Sequence, residues 1–250
     1  MSKSKIAIVT GGSRGIGRDT VHRLAQRGIR TIFTYNANRA EADKVVALAD
    51  QAGARAIALQ LDTGNADRFD KFVTEVRGAL RDFKAERFDF LVNNAGTSSS
   101  ANLETITPAE MDALYSVHFK GVLFLTQKLL PLMNDGGSIT FTDGMIAHSP
   151  SKGAFVSSAM AGGIEHLTRG LAVELAPLRV NCVCPGLIRT GVWNSIPADQ
   201  REERLATMTK RQLVPRVGTP AEAAEAYLYL MRGGYTTGQV LYVEGGTALT

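Results

Sequence analysis

The stretch Thr10-Gly11-Gly12-Ser13-Arg14-Gly15-Ile16-Gly17 has the composition of a phosphate cradle. Glycines at this spacing let a chain turn tightly and bring backbone N–H groups against an anion. A helix starting there adds the positive end of its dipole. A glycine-rich turn alone says little. Here it lies between an apolar run at 6–10 and a helical pattern that continues through Leu24, the context such a turn requires. The end of the second strand then selects the anion. Sites for NADH place Asp or Glu there to hold ribose hydroxyls. This chain reads Tyr35-Asn36-Ala37-Asn38-Arg39, with no carboxylate, and Arg14 stands in the glycine turn. A guanidinium and the Asn36 amide suit a 2′-phosphate, which a carboxylate would repel. The expected cofactor is therefore NADPH in preference to NADH.

The elements that must position these groups alternate along the chain. Short apolar runs at 6–10, 31–35, 56–61, 88–93, 138–142, 179–184 and 240–243 read as strands. Helical patterns separate them. One helix has a capping box with proline at its first position, Thr107-Pro108-Ala109-Glu110, and is expected to run on as a long helix. A second box, Thr219-Pro220-Ala221-Glu222, opens the last helix. Strand–helix alternation implies right-handed crossovers and a parallel sheet covered on both faces. The fold class is α/β, a single-domain doubly wound parallel sheet of the Rossmann type. It has about seven strands with helices on both faces, and one domain spans 1–250. The long stretch at 191–218 reads as irregular and is expected to be a substrate lid.

Bulk properties exclude several classes. A net charge of +4 without a long basic run gives no nucleic-acid footprint. Cys182 and Cys184 sit two apart in one strand, a poor geometry for a disulfide and too few ligands for a metal site, so buried thiols and no metal are expected. The leading Met-Ser-Lys-Ser-Lys runs straight into a strand too short for a signal or membrane segment. A cytoplasmic protein without a membrane partner is the expectation.

Six segments together carry a resemblance: TGGSRGIG at 10–17, LD at 61–62, NNAG at 93–96, RVN at 179–181, PGLIRT at 185–190 and TGQVLYVEGG at 237–246. The chain resembles the short-chain dehydrogenase/reductase family over nearly its full length. The resemblance implies that Gly11, Ser13, Arg14, Gly15, Ile16 and Gly17 cradle the phosphates and that Asp62 meets the adenine. It also implies that Asn93, Ala95 and Gly96 line the adenosine ribose and the strand beneath, and that Pro185, Gly186, Ile188 and Thr190 hold the nicotinamide carboxamide. It implies further a homodimer or homotetramer built on the helices near 107–133 and 153–176, where Ala159, Ala161, Gly162 and Gly163 would permit close approach.

The family's chemistry needs a Tyr as general acid, a Lys four residues later that lowers its pKa, a Ser on the carbonyl and an Asn that holds a relay water. The helix GIEHLTRGLAVELAP sets the register. It puts the Tyr position at Ser157, the Lys position at Ala161, the Ser position at Gly144 and the Asn position at His118. No slip restores the pattern, because no tyrosine lies between Tyr115 and Tyr227 and Lys152 is the only lysine between 129 and 209. The polar groups left are Asp143, His118 and Ser157, with His148 and Lys152 nearby. A buried Asp can carry a raised pKa and donate a proton, and a His can relay one. Asp143 capping a loop and His118 as a bonded helix residue are the structural alternatives. The function expected is NADPH-dependent reduction of a small carbonyl, quinone, imine or activated alkene without the usual Tyr/Lys pair. The alternatives are a catalytically inactive NADPH-binding protein and a non-redox lyase or isomerase on the same fold.

Overall fold

A computed structural model describes residues 4–97 and 101–250; the first three residues of the leading Lys/Ser segment lie outside the described residues. Seven parallel strands form one sheet: β1 Ile6–Val9, β2 Arg30–Tyr35, β3 Ala56–Gln60, β4 Phe88–Asn93, β5 Met133–Thr142, β6 Arg179–Pro185 and β7 Val240–Val243. Their spatial order is β3-β2-β1-β4-β5-β6-β7. The order reverses direction between β1 and β4, and in open sheets of this kind the crevice beyond the strand ends at that reversal receives the ligand.

Alternation along the strands splits the core into two layers. Ile8, Leu91, Ile139, Phe141 and Cys182 face one side, where they meet Phe72 and Val76 of α3 (Phe69–Asp82), Leu125 and Leu129 of α5 (Gly121–Leu129) and Ile164 of α6 (Phe155–Glu174). Ala7, Val9, Phe33, Val92 and Val183 face the other. Their partners are Val21 and Leu24 of α1 (Gly15–Gln26), Val45 of α2 (Arg39–Gln51) and Tyr227 and Leu230 of α8 (Pro220–Arg232). Strands buried on both faces read as unbroken apolar runs, which is why they were visible in the sequence.

Both capping boxes form. Thr107 and Glu110 open α4 (Pro108–Tyr115), and Thr219 and Glu222 open α8, each with side chain and backbone bonded reciprocally. The long helix expected from Thr107 is interrupted. A π-helical turn at Ser116–Lys120 separates α4 from α5. Such wide turns have no composition signal, and they occur often at functional sites. His118 lies within it.

The stretch expected to be irregular holds a short 3-10 turn, Gly191–Ser195, and a three-turn helix, α7, Ala198–Thr209. Its sequence is mostly polar and only Leu205 and Thr209 are buried, so no apolar stripe announced a helix. The excursion is clamped at its base. Ile188 bridges to Gly218, the Trp193 indole donates to the Ile188 carbonyl at 2.7 Å, and Arg189 makes a two-pronged ion pair with Glu202 of α7 at 2.6 and 2.9 Å.

Candidate active site

The glycine turn meets α1 in a conformation that leaves its amides available. Arg14 is the N-cap in extended conformation, no side chain caps the helix, and the first turn holds no acidic residue. Gly11 adopts a φ of +66°, which L side chains rarely reach. Gly17 packs so closely on the turn that a Cβ there would collide with the Gly11 carbonyl. Ile16 packs against the α1–α8 layer and Ser13 is half-buried.

Two residues that the sequence reading passed over tie this turn down. Thr34 accepts the Gly11 N–H through its hydroxyl at 2.9 Å. Asn94 donates to the carbonyls of Thr10 and Gly11 at 2.9 and 3.3 Å, while the Thr10 hydroxyl accepts from the N–H groups of Asn94 and Ala95, both at 2.9 Å. The ends of β1 and β4 are thus clasped across the sheet's reversal point. The signal was available: Asn94 is the second of two asparagines at a strand end, where an amide serves backbone groups that the ladder no longer pairs.

The remaining nucleotide-side positions separate into two groups. Ala95, Gly96, Asp62 and Asn36 lie at the strand ends. Asp62 accepts the Gly64 N–H at 2.9 Å, and the Asn36 carbonyl accepts from the Gln60 amide at 2.9 Å. Asn93 turns inward instead: it is buried and its amide donates to the Thr126 hydroxyl at 3.0 Å. Just beyond β2, Arg39 opens α2; its guanidinium lies 5.9 Å from the centre of the Tyr35 ring and bonds Asp43.

The Pro185–Thr190 loop closes over the turn from the other side. Pro185 and Ile188 are buried, Gly186 sits against the Glu244 backbone where a Cβ would come within 2.6 Å of its Cα, and Thr190 overhangs Gly15.

The chemistry-bearing residues are dispersed. His118 has Nε2 2.8 Å from the Thr97 carbonyl and 3.3 Å from the Thr97 nitrogen, and burial lowers its pKa, which favours the neutral ring at pH 7. Ser157 is half-buried in the first turn of α6, and Lys152 is exposed in the preceding loop. Of the four small residues on α6, Ala161 is buried and Gly163 packs on Phe119 of the same chain; Ala159 is exposed, and the space beyond a Cβ at Gly162 is open.

Asp143 gathers the densest cluster, most of it invisible in the sequence. It follows Phe141 in alternation and so faces α6. Its neighbour Thr142 pairs with Val183, and Cys184 pairs with Tyr242, which sets Asp143, Cys184 and Tyr242 side by side across three strands. Glu165 of α6, only 3% exposed, lies over this row, and carboxylate oxygens of Asp143 and Glu165 and the Cys184 sulfur come within 4.8 Å of one another. Neither Asp143 oxygen receives a hydrogen bond from another described residue. Burial, then contact with Glu165, raises its pKa to about 7. Glu165 moves the other way. Burial pushes it up, but bonds to His148 and Asp143 and the charge of Arg169 outweigh that and hold it lowered. A carboxyl held up beside one held down is the arrangement of a neutral Asp143 next to a charged Glu165, their oxygens within 4.8 Å. Both cysteines are buried and free, and burial raises their pKa. Glu165 stood in an apolar helical pattern at a core-facing position, and a buried carboxylate of that kind was the signal to follow.

Comparison with known proteins places these features in a family. Residues 11–248 match the family model described as enoyl-(acyl carrier protein) reductase. An NADPH-dependent aldehyde reductase from the chloroplast of Arabidopsis thaliana is 32% identical over 99% of this chain and 87% of its own length. A short-chain dehydrogenase/reductase from Serratia marcescens superposes with a TM-score of 0.89 at 32% identity, covering 98% of each chain. A short-chain dehydrogenase from Burkholderia cenocepacia, solved with NADP, superposes at 0.88 with 30% identity over 98% of each chain.

Proposed function

The chain belongs to the short-chain dehydrogenase/reductase family, and we propose that it is an NADPH-dependent reductase whose proton comes from Asp143 rather than from a tyrosine. The observation that carries this is the contrast within the site. The α1 N-terminus is uncapped and held open by Thr34 and Asn94, while the positions for Tyr and Lys hold Ser157 and Ala161. The residues present fit the dinucleotide. Backbone N–H groups and the helix dipole suit a pyrophosphate, and Arg14 and Arg39 suit a 2′-phosphate. The B. cenocepacia and A. thaliana relatives are described with the phosphorylated cofactor.

When bound, the dihydronicotinamide supplies a hydride. The chain's own residues do the rest. Ile188 and Thr190 fix the cofactor's reactive end. The Ser157 hydroxyl holds the substrate's acceptor atom, and His118, neutral and oriented by Thr97, offers Nδ1 as an acceptor. Asp143 keeps a proton beside Gly144, where the missing side chain leaves open space: a Cβ there would meet only Ile146, at 3.9 Å. With no tyrosine–lysine pair, the substrates best served accept hydride readily: quinones, cyclic imines, enones and activated carbonyls. The 191–218 excursion, held by Arg189–Glu202, covers the substrate as a lid. Exposed Met111, Tyr115, Phe124 and Phe155 with Ala159 give the α4–α5–α6 face the character of a subunit contact, so a homodimer or homotetramer is proposed; a monomer by light scattering would contradict it. Among the described residues no helix is long and apolar enough to cross a membrane. Two buried free thiols suit the reducing cytoplasm.

The test is NADPH oxidation over a panel of those substrates, beside NADPH and NADH binding. Turnover with at least one, and NADPH bound roughly tenfold tighter than NADH, are expected. Binding without turnover would favour a second reading, a cofactor-binding protein, which the departure at Gly144, Ser157, Ala161 and His118 also supports. Conversion of substrate without net NADPH loss would favour a lyase or isomerase.

A further inference from the structure

We propose that Glu165 and His148, with Tyr242 holding them in line, form a proton-refilling path from solvent to Asp143. This rests on the reading of Asp143 as the proton source, and it gives three residues a role that the family's usual chemistry does not contain.

A buried acid that gives up a proton in each cycle must recover one. Asp143 has no exposed oxygen, and the groups between it and solvent lie in line. Asp143 and Glu165 carboxylate oxygens lie within 4.8 Å of one another, the first gap on the route outward. The Glu165 Oε1 lies 2.5 Å from the His148 Nε2. The His148 side chain is about two-fifths exposed, at 38%. The Tyr242 hydroxyl lies 2.8 Å from the same Nε2 and 3.4 Å from Oε1, and its ring stands edge-on to the imidazole at 5.1 Å and 79°. Tyr242 is therefore a positioning residue. Cys184 and Cys182 on the sheet side and Arg169, 3.8 Å from the other Glu165 oxygen, complete the titratable or charged groups around the pair. Arg169 and the His148 bond keep Glu165 charged, ready to receive.

The transfer balances. On reduction the Asp143 O–H bond breaks and its proton joins the substrate atom made basic by hydride addition. Glu165 then passes a proton to the Asp143 carboxylate, having taken the Nε2 proton of His148. His148 takes a solvent proton at Nδ1, and exchange of its ring protons with solvent returns the proton to Nε2 before the next cycle. One solvent proton is consumed per hydride, and no other reactant is needed.

The test reads Asp143 itself. In the resting protein, infrared spectroscopy follows the C=O stretch of a protonated carboxyl, assigned by its loss in Asp143→Asn. Mixing into heavy water shifts this band as the proton exchanges. His148→Gln slows that exchange at least tenfold, and added imidazole restores it. Glu165→Gln slows it similarly and lowers the midpoint of the Asp143 titration by about one pH unit. Tyr242→Phe slows exchange about threefold without moving the midpoint. Exchange unchanged in both His148→Gln and Glu165→Gln would overturn the path. Stoichiometric zinc or cobalt bound at the cluster and lost in Cys184→Ser would overturn it too, by making these residues metal ligands. Turnover reports separately. If NADPH is never oxidised, the reductase reading fails while the exchange result still judges the path. If it is oxidised, the first turnover survives in His148→Gln and later ones slow about tenfold.

Discussion

The two halves of the cleft are built to different standards of explicitness. On the β1–β2–β4 side, uncharged hydroxyls and an amide hold the glycine turn, Thr34 on Gly11 and Asn94 on Thr10 and Gly11. On the β5–β6–β7 side the groups are titratable and share partners: Asp143 with Glu165, and Glu165 with His148 and Tyr242. The first half, on the proposed reading, recognises an anion, which needs rigid donors. The second, on the same reading, moves protons, which needs a group such as Asp143 whose protonation changes near neutral pH. So read, the difference teaches that the proton-handling positions of a fold can change together while the backbone cradle beside them keeps its uncapped helix start.

The comparison breaks most visibly at Gly17. Gly17→Val pushes a side chain into the Gly11 carbonyl, and NADPH affinity falls at least about 100-fold, roughly 3 kcal/mol, with Asp143 protonation unaltered. Fluorescence titration and the infrared band check the two halves independently.

Of similar size is a pH effect confined to the other half. The neutral form of Asp143 belongs to the folded state, because its pKa rises from 3.8 to about 7. Its stabilisation is complete below the unfolded value and is lost as pH climbs through about 7. Thermal melts of the wild type should therefore lose up to about 4 kcal/mol between roughly pH 4 and pH 8 relative to Asp143→Asn. Parallel melting curves for the two proteins would remove Asp143 from the proton-handling half.

How much of this was legible follows the same division. The strands at 88–93 and 240–243, both capping boxes and the glycine turn were read correctly, because burial on two faces and helix starts leave local composition signals. β5 begins at Met133, five residues earlier than read, because its glycine-containing start Asn134–Gly137 precedes a register shift against β4. The polar α7 and the π turn carry no such signal. Asp143 was named from its neighbour position. Its partners lie on other elements, and only the sheet register and α6 bring Cys184, Tyr242 and Glu165 to it.

Smaller changes sharpen the boundary. Tyr227 is fully buried, and its hydroxyl is 2.8 Å from that of Thr142, on the face opposite Asp143. Thr142→Val leaves that hydroxyl unpaired and costs about 1–2 kcal/mol by denaturant unfolding, with no change in the Asp143 titration. A moved titration would mean that the two faces of β5 are coupled. Arg39→Ala should be mildest. The side chain is exposed, so the NADPH-over-NADH preference falls only about threefold by paired binding titrations.

The most direct test uses NADPH carrying deuterium at its transferable position, incubated with the wild type and the panel of quinones, imines, enones and carbonyls. Mass spectrometry of the products should find the label on carbon or, for a quinone, an equivalent yield of reduced product with oxidised cofactor, and Asp143→Asn should lower the yield at least about tenfold. Label that stays in the cofactor across the whole panel, with the nucleotide bound, would contradict hydride transfer by this site.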